Sequence, residues 1–321
     1  MNVQFLIVCM VCSRYILSMV NDDSLDDPTK KQRGWLLPDA GGRAFRGGLY
    51  LVATPIGNLR DITLRALDVL AAADVIAAED TRVSGKLLAA YGIKGKTLIS
   101  YNDHSDARAR DRLVADAAAG QIVALISDAG MPLISDPGYK LVCAAAEAGV
   151  YVSSMPGANA PLTAMQLSGL PSDRFTFLGF LPSKTGARRD VLSEWADAQS
   201  SLVVFESAQR LLKSLDDIAD VLGGRVVAVT RELTKMYEEV RRGSAAELVA
   251  HYKEHGLPKG EIVMVIAPPE AREYGEDELR ALLRAALADM STKDAAASVS
   301  AQTGHAKKAL YQMALGLGDG E

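Results

Sequence analysis

Cysteine is scarce in this chain. Three cysteines in 321 residues, Cys9, Cys12 and Cys143, cannot build a disulfide framework. Their scarcity points to a reducing compartment, and a cytoplasmic location is expected. Cys9-Met-Val-Cys12 has no second pair and no βαβ pattern behind it, so no metal or thiol-redox role is read from it. A basic excess is also missing. Asp and Glu total 40 against 35 Lys and Arg, a net charge of −5, so any nucleic-acid contact must come from local basic patches. A clean membrane-spanning run is absent as well. Residues 1–20 are largely apolar but carry Arg14, no positive leading segment and no small-residue cleavage site. These features disfavour both a secretory signal and a membrane anchor. No Gly-x-Gly-x-x-Gly opens a helix after a strand, and no phosphate-binding Gly-Lys-Ser/Thr loop occurs. Dinucleotide and P-loop nucleotide binding lose their support accordingly.

What is present is an alternation of strand and helix patterns. With 49% apolar and 23% charged residues the composition is that of a globular chain long enough for two domains. Residues 1–47 are read as a poorly ordered N-terminal extension, with Met10 and Met19 as alternative starts. Residues 48–170 form a first α/β domain, 171–269 a second, and 270–321 a helical tail. In the first domain Leu49–Thr54, Val75–Ala78, Thr97–Tyr101, Ile122–Ser127 and Val150–Ser153 are expected strands. Short, continuous apolar strands separated by helices predict a mostly parallel sheet covered on both faces. Asp61 is the expected cap of the first helix, and Asp136-Pro137-Gly138 reads as the start of a helix over Pro137–Ala148. In the tail, Gly304 separates two helical patterns. A packed helical hairpin is preferred there over a DNA-binding helix-turn-helix.

Ligands of open α/β sheets bind beyond the carboxyl ends of the strands. Four such ends carry unusual loops: Thr54-Pro-Ile-Gly-Asn58, Glu79-Asp-Thr-Arg82, Ser127-Asp-Ala-Gly-Met-Pro132 with its continuation to Gly138, and Pro156-Gly-Ala-Asn159. Each has a plainer reading, as turns at Gly57, Gly130 and Gly157 and as a solvated strand end at Glu79-Asp80. Their convergence on one sheet edge favours a site.

Leu49-Tyr-Leu-Val-Ala-Thr-Pro-Ile-Gly-Asn-Leu-Arg-Asp-Ile-Thr63, Ala77-Ala-Glu-Asp-Thr-Arg82 and Ser127-Asp-Ala-Gly-Met-Pro-Leu-Ile-Ser-Asp-Pro-Gly-Tyr139 resemble the ribosomal RNA small subunit methyltransferase I family. So do Arg231-Glu-Leu-Thr-Lys235 and Lys308-Ala-Leu-Tyr-Gln312, and the resemblance runs from about Leu49 to Leu317. It implies a tetrapyrrole-methylase fold, two α/β domains with S-adenosylmethionine held in the cleft between them. It also implies 2′-O-methylation of a cytidine in the decoding region of 16S rRNA, by a homodimer acting on the small ribosomal subunit, with no membrane partner. Three departures fall in or beside the site loops: Met131 in place of threonine, Ala158-Asn159 in place of Pro-Ser, and Ala208-Gln209 in place of Pro-His. They bear on substrate placement more than on the fold.

Methyl transfer is an in-line displacement, so placing the acceptor oxygen against the sulfonium methyl should dominate. Given the resemblance, Pro55, Gly57, Asp128, Ala129, Gly130, Met131, Pro132 and Ala158 are the cofactor-binding candidates, with Asp128 accepting from the cofactor ammonium. A weakly acidic ribose hydroxyl benefits from a base, and Asp80, His104 and Glu206 are the candidates. A lone His104 also reads as a surface residue. Arg82, Lys184, Arg188, Arg189, Arg210, Arg231 and Lys235 are candidate RNA phosphate contacts, with solvated helix faces as the alternative for Arg188-Arg189. Two other functions stay open: methylation of a tetrapyrrole carbon, and a non-enzymatic, ligand-sensing DNA-binding regulator using the tail helices.

Overall fold

The computed structural model describes residues 45–102, 107–270 and 274–318. The extension read over residues 1–47 therefore lies almost wholly outside the described residues. So does His104.

Five strands, β1 (Gly48–Val52), β2 (Val75–Ala78), β3 (Thr97–Ser100), β4 (Ile122–Ile126) and β5 (Val152–Met155), form an all-parallel sheet in the order β3-β2-β4-β1-β5. All four residues of β2 are buried, as the continuous apolar pattern predicts for a strand covered on both faces. Neighbouring β1 and β4 send the chain in opposite directions, β1 toward β2 and β4 toward β5. Their carboxyl ends thus flank the point where the topology switches, which is where an open parallel sheet leaves a crevice.

A second sheet contains β6 (Phe175–Phe180), β7 (Ser201–Ser207), β8 (Val226–Arg231), β9 (Glu239–Ser244) and β10 (Glu261–Ile266), ordered β6-β7-β10-β8-β9. Only the β6–β7 pairing is parallel. One face of this sheet packs under the helices Thr185–Glu194, Leu211–Leu222 and Ala245–His255 through Leu192, Leu215, Ile218 and Leu248. The other face, with Val203, Ala228, Val263 and Val265, packs on Ala164 and Met165 of the helix Ala160–Ser168 and on Ile56 of the loop that follows β1. The tail helices Glu276–Leu287, Thr292–Thr303 and Lys307–Gly318 close around Leu279, Leu283, Val299 and Leu310.

Several expected boundaries move. The first helix is Leu64–Ala72, capped by Thr63, whose hydroxyl accepts from the Ala66 N–H; Asp61 instead ends a short 3-10 turn. β5 begins at Val152 rather than Val150, because the Val150 N–H still donates to Ala145 and finishes the preceding helix. That helix is Tyr139–Glu147 and starts at Gly138, so Asp136 is not its cap.

Candidate functional site

Thr54 pins the loops after β1 and β4 together. Its N–H donates to the Gly130 carbonyl at 2.8 Å and its carbonyl accepts from the Gly130 N–H at 3.0 Å. The buried hydroxyl donates to the Ser127 carbonyl at 3.1 Å. Beyond Gly130 the β4 loop holds two non-glycine residues in the left-handed region, Leu133 at φ 73° and Ser135 at φ 65°. Gly138, at φ 134°, ends the loop where an added Cβ would meet Leu125 and Leu133 at 2.6 and 2.9 Å. Such conformations are costly and tend to persist at ligand sites. Here they turn Ser135 and Asp136 toward a cavity.

That cavity measures about 360 Å³ and lies between the two sheets, a size suited to a cofactor-sized ligand. Its first-sheet wall comes from Ile56, Ala129, Ser135 and Asp136, and its second-sheet wall from Phe180, Phe205, Glu206, Leu233, Ile262 and Val263. Burial raises the Asp136 carboxyl to about 6, opposed by a hydrogen bond with Ser127 and reinforced by the charges of Glu79 and Asp128. Glu79 is likewise raised, by burial first and then by Asp128. Asp128 accepts from the Asp80 N–H at 3.1 Å. Three carboxyls, Asp136, Glu79 and Asp128, thus act on one another at one corner of the site, with the Arg82 guanidinium acting on Asp128 from outside it, a concentration of negative charge suited to a cation.

Of the cofactor candidates, Ala129 lines the cavity itself. Pro55, Gly130 and Pro132 are buried behind its wall, Asp128, Met131 and Ala158 are half-buried, and Gly57 lies under Lys235, whose Cγ would stand 2.4 Å from an added Cβ.

Two of the three base candidates, Asp80 and Glu206, are held by structural partners, and the third, His104, lies outside the described residues. Asp80 caps the helix Thr81–Ala90 by accepting from the Arg82 N–H, and its paired Arg82 guanidinium holds the carboxyl down at about 2. So acidic a group is a poor proton acceptor at neutral pH. Glu206 is buried at the cavity wall, but its oxygens accept from the Ser214 hydroxyl, the Ser207 N–H at 2.8 Å and Arg210 Nη2 at 3.4 Å, and it is ion-paired with the Arg210 guanidinium at 3.1 Å.

The basic candidates separate sharply. Arg188 is 1% exposed and is bound by Asp217 at 2.7 Å and by the carbonyls of Pro182 and Ser183, so it cannot reach a phosphate. It is not on a solvated helix face either. Arg189 pairs with Asp217 and Asp220 yet stays half-exposed. Arg210 is turned inward to Glu206 and the Leu181 carbonyl. Arg231 pairs with Glu239 at 2.8 Å, and Lys235 with Glu232 and Glu261 at 2.9 and 2.8 Å. Arg82 and Lys184 are exposed.

Asp136 and Phe180 are among the cavity residues that sequence reasoning did not assign to the site. Asp136 was masked by the Pro-Gly that follows it, which mimics a helix start. For Phe180 the usable signal was an aromatic at a strand end followed by Leu181-Pro182. Among the described residues no cluster of His, Cys, Asp and Glu is arranged to hold a metal, and no helix is long and apolar enough to cross a membrane.

Comparison with known proteins accords with this architecture. Residues 48–249 match the family described as Tetrapyrrole (Corrin/Porphyrin) Methylases, and residues 273–318 match the RsmI C-terminal HTH domain. The second match favours helix-turn-helix over a plain hairpin for the tail. Similar solved structures include diphthine synthase, with a TM-score of 0.53 at 16% identity over 68% of this chain and 89% of that one. The methyltransferase CobJ gives 0.52 at 17% identity, over 71% and 97%. These likenesses bear on the fold alone. Ribosomal RNA small subunit methyltransferase I of Mesorhizobium japonicum is 49% identical over 278 residues, 86% of this chain and 94% of that protein. The proteins of that name from Erythrobacter litoralis and Escherichia coli O157:H7 are 52% and 47% identical, each over 84% of this chain and 95% of their own length. With nearly its whole described length matched in this way, the chain belongs to the ribosomal RNA small subunit methyltransferase I family.

Proposed function

We propose that the chain transfers the methyl group of S-adenosylmethionine to the 2′-hydroxyl of a cytidine in the decoding region of 16S rRNA. The observation that carries this reading is the inter-sheet cavity, with the Asp136 carboxyl on one wall and, on the other, the apolar surface of Phe180, Phe205, Leu233, Ile262 and Val263 beside the ion-paired Glu206 and Glu261. The cofactor joins a sulfonium and an ammonium to a flat adenine, and those two walls fit its two halves. When bound it supplies an electrophilic methyl group. Asp136, Asp128 and Glu79 offset the positive charge, and Ile56, Leu233 and Val263 cover apolar surface and exclude water. Because positive charge disappears as the methyl leaves, carboxylates that hold the cation serve binding rather than rate. The rate advantage then comes from fixed placement of the acceptor oxygen, which the Thr54–Gly130 clasp and the strained β4 loop support.

Residues 48–170 and 171–269 act in this reading as two domains sharing the cofactor, with 270–321 as an appended tail. The substrate is the small ribosomal subunit. The homodimer and the cytoplasmic setting rest on the family resemblance and the cysteine count. A porphyrinoid acceptor is not favoured, since relatives near 50% identity are named for ribosomal RNA.

The test uses purified protein, labelled S-adenosylmethionine and small subunits from a strain lacking the endogenous enzyme. Label is expected in one 2′-O-methylcytidine, and Asp128→Ala is expected to abolish it. Cofactor binding without RNA labelling would move the acceptor to another class. No cofactor binding would end the proposal.

A further inference from the structure

Phe180 closes β6 and lines the cleft cavity, yet 61% of it is exposed. The backbone makes a special arrangement to put it there. Along the β6–β7 pair, Phe177 faces Val203, Gly179 faces Val204 and Phe180 faces Phe205, so Leu178 is an inserted residue. In a regular strand, alternation would send Phe177 and Phe180 to opposite faces. The bulge instead brings both onto the cleft face with Val203 and Phe205, while Leu178 packs under the helices on the other face. Bulges of this kind re-aim side chains beside functional sites. Gly179 adopts φ 66°, and an added Cβ would stand 3.4 Å from the Ser135 hydroxyl of the β4 loop. The ring leans on Phe205, centroids 5.3 Å apart at 56°, and Phe205 is braced by Phe177 at 5.0 Å. A supported ring thus stands at the cavity rim with most of its surface uncovered.

We propose that Phe180 is the stacking platform for the base of the acceptor nucleotide. The inference rests on the proposed function and deepens it. Ribose methylation requires the sugar oxygen inside the cleft, so the attached base is drawn out of its RNA stack and comes to rest beside the rim. An unstacked base is commonly received on an aromatic side chain. Stacking tolerates every base, so Phe180 fixes where the nucleotide sits rather than which nucleotide it is.

The test compares wild type, Phe180→Ala and Phe180→Trp as full chains. It reads kcat and KM on small subunits, cofactor Kd by calorimetry, melting temperature, and mass in solution. Phe180→Ala is expected to lower kcat/KM for the subunit by about fivefold to a hundredfold, the span of base–aromatic stacking. Because the ring also stands on the wall of the cofactor cavity, its cofactor Kd should weaken by much less than kcat/KM falls, and Phe180→Trp should recover most of the loss, as stacking predicts. Unchanged kcat/KM in Phe180→Ala would overturn the proposal. So would a cofactor Kd that weakens in step, because the ring would then cover the cofactor. A shift in melting temperature or mass without rescue by Trp would assign a packing role instead. A wild-type protein inactive on RNA would remove the functional reading itself, whereas an active wild type with an unaffected Ala variant removes only the stacking role.

Discussion

The two sheets meet the cleft in different ways. The first is all parallel, so the carboxyl ends of its strands fall at one edge, and it offers loop ends: Thr54 to Asn58, Ser127 to Gly138 and a corner of carboxyls. The second is mostly antiparallel and offers a sheet face, with Phe180, Phe205 and Val263 presented by the strands themselves. Its charges are largely spent on each other, as in Arg188–Asp217, Arg210–Glu206 and Arg231–Glu239. A cluster of like charge gathered beside a cavity marks a place for a ligand, whereas a closed network of opposite charges marks architecture.

The largest effect expected from this contrast is on stability. Arg188→Ala leaves Asp217 buried with only Arg189 as partner and should cost about 3–5 kcal/mol in urea unfolding. Arg189→Ala, at a half-exposed pair, should cost less than about 1 kcal/mol. Equal losses would break the distinction between the two neighbours.

Next comes Asp136→Asn, which should weaken cofactor binding about tenfold at pH 8 by removing a charged partner. The wild-type carboxyl titrates at about 6, above its ordinary 3.8. Cofactor affinity should therefore rise from pH 5 to pH 7 as the proton leaves, and calorimetry on the variant should show no such rise. The sign for folding is the reverse. A raised carboxyl favours the fold when protonated, a contribution present below about 3.8 and lost as the pH climbs through about 6. The ligand-free Asn variant should consequently melt above wild type at pH 8. A lower melting point would show that Asp136 is held by contacts rather than tolerated for its ligand.

The smallest effect belongs to Lys235→Met. It removes partly exposed pairs to Glu232 and Glu261 and should cost about 0.5–1 kcal/mol, a loss that salt should diminish in the wild type. Loss of all RNA methylation in this variant, with folding intact, would mean that the lysine is shared with substrate and that the second sheet's charges are not all architectural.

Much of the scaffold was legible in the residues. Val75–Ala78 reads as a doubly covered strand and is one, and the loops after Val52 and Ile126 do flank the topological switch. Side-chain destinations were not. Arg188 and Arg189 are adjacent in sequence, but a helical turn of about 100° per residue sends one inward and one outward. Asp217, the partner both of them reach, lies 29 residues beyond Arg188. Asp136 was misjudged because Asp-Pro-Gly is a valid helix start, and only the φ of 134° at Gly138 shows that the helix waits two residues longer. The bulge at Leu178 left one mark, Gly179 inside an apolar strand pattern, but a lone strand glycine does not say which residue is inserted or which face gains it.

The helix Ala160–Ser168 has a consequence for how the molecule comes apart. It follows β5 and so belongs by connectivity to the first sheet, yet Ala164 and Met165 are sealed against Val203, Ala228 and Val265 of the second. Neither half can keep its core closed once the other has melted. The two sheets should lose their slowest-exchanging amides together, as one cooperative unit, and a ligand held by either wall should protect the backbone of both.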